Sequence, residues 1–172
     1  MRTFSLLKGM PVYDEKGEML GEVCDICIQE NGYVSDVLLQ QKGLIGKKSR
    51  LSIHHILSFG ENGIMISNQD VLLAYKEVHS EYTMHHAQPI SKKMTLSKEG
   101  KQLGLLDDVY FLEEMGTIVG YELTDGFFSD ITEGKRVIRT PIPPKIGKDA
   151  MIVSVNKLRG GKSNDEMSEL PK

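Results

Sequence analysis

The chain has 172 residues, of which 40% are hydrophobic and 26% are charged, and its formal net charge at pH 7 is −3. This composition is typical of a soluble globular protein, and the charge argues against nucleic-acid binding, which requires a concentrated positive face. Residues 71–75 form one of the longest apolar runs, which is far too short to span a bilayer. We see no signal peptide, and two cysteines suit a reducing compartment, so a cytoplasmic location is expected.

An internal repeat organises the sequence. A glycine, a Leu-Gly pair, and an aspartate followed by a β-branched residue occur twice, 83 positions apart. The glycines and aspartates shared by the two copies are Gly17 and Gly100, Gly21 and Gly104, and Asp25 and Asp108. Because such self-similarity indicates duplicated structural units, we predict two domains. The predicted divisions are a first domain over 1–80 with a short C-terminal helix, a linker over 81–88, a second domain over 89–159, and a flexible tail over 160–172.

Short strands separated by turns are predicted throughout the first unit. The predicted extended segments are 10–13, 18–29, 33–40, 51–53, 54–59 and 64–67. Gly17 is expected at a turn position with positive φ, and Gly21, inside a strand, predicts a bulge or a sharp bend. Asn31-Gly32 is a strong signal for a two-residue hairpin. A short helix over 71–78 is expected to follow the last strand.

The second unit repeats this order. Its predicted strands are 90–96, 101–113, 118–123 and a closing strand near 150–154. Pro141, Pro143 and Pro144 lack the main-chain N–H and therefore allow only an edge strand or irregular backbone. Close spacing of short strands and turns predicts an all-β fold made of two tandem small β-barrels.

Asp25 and Asp108 are the carboxylates that both copies retain. Each follows a predicted bend, where a carboxylate can accept main-chain N–H groups that a bulge leaves unpaired. Catalysis would require a partner acid, base or nucleophile, and none recurs with them in the second copy. We interpret both aspartates as residues that hold the fold, and we predict no catalytic residue.

The cysteines and histidines are the candidate redox or metal-binding groups of the sequence. Cys24 and Cys27 lie three apart on a strand, which separates them by about 10 Å on opposite faces, beyond the roughly 7 Å limit of a disulfide. His54 and His55 are adjacent and would diverge, and the other three histidines lie in or beside the linker. Since a metal site needs three or four converging ligands, we predict no metal or other cofactor. Metal binding by the linker histidines stays open.

The stretch from Gly17 to Ile26, followed by a hairpin, and the stretch from Ile56 to Ile66 resemble the PRC-barrel domain. The resemblance covers roughly residues 4–76 and 88–156. Two copies with a short tail resemble proteins without assigned function from spore-forming bacteria. The family is named for the cytoplasmic domain of the photosynthetic reaction centre H-subunit and includes the C-terminal half of a ribosome maturation factor.

The resemblance implies a small β-barrel of an adaptor type that binds proteins and has no shared active site. The reaction-centre subunit has a transmembrane helix and the ribosome factor has a separate N-terminal domain, and this sequence shows neither. Neither specific role is therefore carried over.

These observations together predict a non-catalytic bacterial protein that binds a protein partner. The candidate contacts are apolar pairs in loops where the copies differ, Leu44-Ile45 and Phe127-Phe128, because exposed apolar groups mark interaction surfaces. Packing between the two barrels is an alternative interpretation of these pairs. The alternative function, suggested by the resemblance alone, is an RNA-processing or ribosome-associated role. The partner's identity and self-association as a homodimer stay open.

Overall fold

The computed structural model describes residues 1–43, 46–125 and 134–155. The first repeat forms β1 (Arg2–Thr3), helix α1 (Phe4–Leu7), β2 (Pro11–Asp14), β3 (Met19–Gln29), β4 (Tyr33–Gln41), β5 (Lys48–Ser52), β6 (Ile56–Phe59), β7 (Ile64–Ile66) and β8 (Leu72–Ala74). Single 3-10 turns occupy Ile53–His55 and Gln69–Val71. The second repeat forms β9 (Glu81–Thr83), β10 (Met94–Ser97), β11 (Gln102–Phe111), β12 (Ile118–Thr124), β13 (Arg136–Ile138), β14 (Lys145–Ile146) and β15 (Ala150–Val153).

Each repeat builds a curled sheet, and six strands of the first sheet correspond in order to the six strands of the second. The first sheet runs β6-β7-β2-β3-β4-β5-β8. The second, written in the corresponding direction, runs β14-β15-β10-β11-β12-β13. The parallel pair β2–β7 in the first sheet corresponds to the parallel pair β10–β15 in the second. The longest strands, β3 and β11, each contain bulges that shift the register against their neighbours and so help the sheet to curl. The predicted all-β fold with two barrel-like units is confirmed.

The two repeats exchange their first strands. β1, which leads into the first repeat, pairs with the end of β11 in the second sheet, where Thr3 lies opposite Tyr110. β9, which leads into the second repeat, pairs with the end of β3 in the first sheet, where Thr83 lies opposite Cys27. Each sheet therefore contains a strand from the other side of the predicted boundary at 80/81, and the segment predicted as a linker contains β9.

The tips of the two long hairpins also bond to each other. The N–H of Val34 donates to the carbonyl of Gly116 at 2.7 Å, and the N–H of Ile118 donates to the carbonyl of Gly32 at 3.1 Å. Gly32 and Gly116 occupy equivalent turns, so the two bonds are related by an approximate twofold axis. This reciprocal pattern is the type of contact found in a symmetric dimer, here within one chain.

Apolar side chains from both repeats form one continuous core. Fully buried members include Leu7 of α1, Val37 of β4, Phe111 of β11 and Met84, which follows β9. Burial of one such side chain stabilises a fold by about 1.5–3 kcal/mol, and these residues come from both repeats. We therefore expect the repeats to stabilise each other.

The segment 71–78, which the sequence predicts as a short helix, has a different structure. The Asn68 side chain accepts from the N–H of Asp70 at 2.8 Å and begins only a single 3-10 turn, Gln69–Val71. The chain then enters β8, which pairs with β5. Tertiary pairing outweighs the local helical tendency here, since an isolated helix of this length is marginal in water.

Candidate functional site

Asp25 is fully buried beside a bulge of β3, where its carboxylate collects main-chain donors. Its Oδ1 accepts from the N–H groups of Ile26 and Met84, each at 2.8 Å. Its Oδ2 accepts from the N–H groups of His85 at 2.9 Å and His86 at 3.0 Å. Three of the four donors belong to the segment that enters the second repeat, so this carboxylate fastens one repeat to the other.

The two histidines of this segment also contact the fold through their rings. The Nδ1 atom of His86 lies 2.5 Å from the Oδ2 atom of Asp25. The ring of His85 packs against that of Phe4, with 5.4 Å between their centroids. Partial burial and, after it, the positive charge of Lys8 lower the pKa of His85. Both histidines therefore pack against the first repeat.

Asp108 has the equivalent place in the second repeat and the reciprocal role. Its Oδ1 accepts from the N–H of Val109 at 2.8 Å, and its two oxygens share the N–H of Ser5 at 3.3 and 3.2 Å. Ser5 belongs to the segment that enters the first repeat. The hydroxyls of Thr3 and Thr83 complete the parallel, because each accepts a main-chain N–H three residues further along the chain. The geometry favours a fold-holding role for both aspartates.

The repeated glycines lie at turns and at close approaches between strands. Gly17 and Gly100 have φ of +81° and +82° in open turns. A Cβ on Gly21 would lie 2.4 Å from the carbonyl oxygen of Gln40, and a bulge in the β2–β3 pairing lies directly beside it. Gly104 combines a φ of +133° with an equivalent bulge in the β10–β11 pairing. These positions suit glycine for steric reasons, and none of the four requires a bound ligand.

The two cysteine thiols are both shielded from solvent, to different degrees. Cys24 is half-buried and Cys27 is buried, and both are free. Burial raises the pKa of Cys27 to about 12, so its nucleophilic thiolate scarcely forms at neutral pH. Within the ranges that the structure describes, no group of three or more His, Cys, Asp or Glu residues could hold a metal ion.

A groove of about 380 Å³ runs along the seam between the repeats. One wall is β6 with the preceding 3-10 turn, and the other is the turn of the second repeat that contains Glu113 and Glu114. We call this feature the seam groove, and its lining residues are Ile53, His54, Ile56, Leu57, Ser58, Phe59, Glu113 and Glu114.

Leu57 is the most exposed apolar residue of the seam groove. Ile56 and Ser58 pair with consecutive residues of β7, so Leu57 is the extra residue of a bulge, and 59% of it is exposed. Met115, beside Glu114, is also 59% exposed. These side chains present an apolar rim to solvent at the seam.

The equivalent position in the second repeat is built differently. There the edge strand β14 is only two residues long, and it follows Pro143 and Pro144. Pro143 packs against the opposite hairpin turn, because a Cβ on Gly32 would lie 3.2 Å from the Cβ of Pro143. The proline pair thus replaces the Leu57 bulge of the first repeat.

The apolar pairs predicted as partner contacts, Leu44-Ile45 and Phe127-Phe128, lie outside the described residues, so they stay a prediction. The seam groove was not predicted. One signal in the sequence could have found it: Leu57-Ser58-Phe59 aligns with Pro144-Lys145-Ile146, so proline stands at this edge in the second repeat and is absent from it in the first.

The described chain thus defines a class, that of a duplicated small β-barrel whose copies are fastened by reciprocal carboxylates. Nowhere in the described ranges is a helix long and apolar enough to cross a membrane. The PRC-barrel domain family matches residues 1–75. The chain is also 34% identical, over 159 residues, to a Bacillus subtilis (strain 168) protein called "Uncharacterized protein YrrD", with 90% of this chain and 88% of that protein covered. The chain belongs to the PRC-barrel domain family.

Proposed function

We propose that the protein is a non-catalytic adaptor that binds another protein at the seam groove. The observation that carries this proposal is the exposure of Leu57, which a bulge lifts out of an edge strand. Single exposed apolar residues are normal on soluble proteins, but apolar groups gathered at one place mark interaction sites.

Glu113 places two further exposed apolar residues near the seam groove, Met1 through an ion pair and Met115 two positions along the chain. Leu57 and Glu113 both line the groove, and the ammonium group of Met1 lies 2.7 Å from the carboxylate of Glu113. Met1 is 51% exposed and Met115 is 59% exposed. A partner covering this rim together with Met1 would bury three large apolar side chains, at about 25 cal/mol per Å² of apolar surface removed from water.

Site-specific photocrosslinking in cells tests the proposal. A photoreactive phenylalanine analogue would replace Leu57 in the full-length protein, and the control would carry it at Ile142. Ile142 is 50% exposed and lies just before β14 in the second repeat, so it matches Leu57 in exposure and in approximate position. We expect covalent protein adducts at Leu57, several-fold more abundant than at Ile142.

Equal adduct yields at Leu57 and Ile142 would overturn the proposal. Adducts with RNA at Leu57 would do the same and would favour the ribosome-associated alternative. Leu57→Ser should release the partner in size-exclusion chromatography of native lysate without changing the melting temperature, since an exposed side chain contributes little to the core.

A further inference from the structure

We propose that the seam groove holds an extended segment of the partner protein, which pairs with β6 as an additional strand and places a basic side chain against Glu114. This inference rests on the adaptor function proposed above and specifies what the adaptor binds. Two features of the groove indicate what the partner must supply. They are the free edge of β6 and the carboxylate of Glu114, which has no cationic partner among the described residues.

The first feature is the free edge of β6. Within the described residues, β6 is the terminal strand of the first sheet and pairs only with β7. All four of its residues line the seam groove, including neighbours that point to opposite faces, so the groove follows the strand's edge. An unpaired edge presents main-chain N–H and C=O groups that can bond to an added strand.

The shape of the groove favours a single extended segment. The Glu113–Glu114 turn forms the wall opposite β6, so an occupant is enclosed on two sides. The edge of a second folded copy would carry its own sheet into this space, whereas a peptide strand needs only its own width, about 4.8 Å. Four residues of β6 match a strand of about 13 Å at about 3.3 Å per residue.

The second feature is the charge of Glu114. Its neighbour Glu113 already has cationic partners, the Met1 ammonium at 2.7 Å and the Arg2 guanidinium at 3.6 Å. Glu114 is exposed, and no cation of the described residues pairs with it. A lysine or arginine of the partner would supply the missing charge, and exposed ion pairs of this type favour recognition more than affinity.

The ends of β6 limit where pairing can occur. The Arg2 side chain donates to the carbonyl of Phe59 at 2.6 Å, and the N–H of Ile56 bonds back to the carbonyl of Ile53. The groups left for an added strand are therefore centred on Leu57 and Ser58. The second repeat has a related bond from the Tyr82 hydroxyl to the carbonyl of Ile146 at 3.2 Å.

Selection from a random library tests the proposal while the partner is still unidentified. A library of twelve-residue peptides on phage would be selected on the full-length protein and counter-selected on the Leu57→Pro variant. That variant gives β6 the proline found before β14, so the second repeat already shows that the fold accepts such a strand. Circular dichroism and the melting temperature would verify that it folds.

We expect enriched peptides that alternate apolar and polar residues and contain a lysine or arginine. They should bind Leu57→Pro at least tenfold more weakly than the unaltered protein, and Glu114→Gln about two- to fivefold more weakly. Glu114→Lys should shift the preference to peptides with an acidic residue in place of the basic one. In two-dimensional NMR spectra, the amides of Leu57 and Ser58 should shift on peptide addition, and those of Lys145 and Ile146 should not.

Three results would overturn the inference: no enrichment over Leu57→Pro, enriched peptides without a basic residue, or a dimer in light scattering that Leu57→Pro abolishes. The last result would identify a second copy as the occupant. Protein crosslinks at Leu57 combined with a failed peptide selection would leave the adaptor function standing and reject strand pairing alone. Absence of both would reject the two proposals together.

Discussion

Aspartates at equivalent positions hold the two repeats together, but they accept unequal numbers of hydrogen bonds. Asp25 of the first repeat accepts four main-chain N–H groups and contacts the ring of His86. Among the described residues, Asp108 of the second repeat accepts two, from Val109 and Ser5. The carboxylate of Asp25 thus makes more hydrogen bonds to the segment between the repeats than Asp108 makes to the start of the chain.

This difference shows which parts of a duplicated fold are free to change. The positions that bind the copies together are retained in both, whereas the edge strand has diverged, with a Leu57 bulge in one copy and Pro143-Pro144 in the other. Proline is a common means of protecting a sheet edge from unwanted pairing. The edge at β14 is therefore protected and the edge at β6 is left accessible, and the adaptor function that we propose depends on this asymmetry.

The largest expected effect comes from the aspartates. Asp25→Ala leaves four main-chain donors without their acceptor in a buried place, so we expect a loss of about 3–5 kcal/mol in the free energy of unfolding. Asp108→Ala should lower the free energy of unfolding by about 1–3 kcal/mol, since it leaves fewer main-chain donors without an acceptor. Urea denaturation of both variants measures the two losses. Equal losses would contradict the unequal fastening of the repeats.

The repeated glycine inside the long strand gives the next effect. Gly21→Val places side-chain atoms against the main chain of β4, where even a Cβ would lie 2.4 Å from the carbonyl oxygen of Gln40. We expect a loss of about 2–3 kcal/mol, typical of overpacking. A Cβ on Gly104 would meet its nearest atom, the Oδ1 of Asp125, at 2.9 Å, and the Asp125 side chain can move aside. An unchanged melting temperature for Gly21→Val would refute the close approach.

The hairpin tips offer a matched pair of substitutions. Gly116 and Gly32 have φ of +72° and +74°, so alanine is strained at both. A Cβ on Gly116 would also lie 2.2 Å from the main-chain oxygen of Val34, whereas on Gly32 it would meet the ring of Pro143 at 3.2 Å. We expect thermal unfolding to give a loss of about 2–3 kcal/mol for Gly116→Ala and about 1 kcal/mol for Gly32→Ala. The reverse order would mean that the tips do not bond as described.

The smallest effect concerns pH. Burial and the Lys8 charge lower the pKa of His85, so the folded protein favours the neutral ring and the unfolded chain binds more protons. Stability should therefore fall slightly as the pH drops below about 6.5, the ordinary value for histidine. The equivalent residue of the first repeat is Ser5, which does not titrate. His85→Ser should flatten the dependence between pH 7.5 and 5.5, and an unchanged slope would assign it to other groups.

The sequence predicted the duplicated barrels because turn and bend glycines recur at a fixed displacement. It also predicted that Asp25 would accept main-chain N–H groups, but not that most of them would come from the other repeat. That contact depends on the exchange of β1 and β9, which joins residues far apart in the chain. A pattern read along the chain does not contain such pairings, because they are set by the packing of two sheets. The accessible edge of β6 could not be predicted for the same reason, because the packing of the sheets decides which strand edge stays uncovered.

The exchange of β1 also has a consequence for the order in which the protein is built. Thr3 lies opposite Tyr110, so the two are joined across more than 100 intervening residues. During synthesis the N-terminal segment emerges first, yet its partner strand is absent until most of the second repeat has left the ribosome. Closing such a long loop slows folding. β1 is therefore made long before β11, the strand with which it pairs, and it can join the second sheet only after β11 has been synthesised.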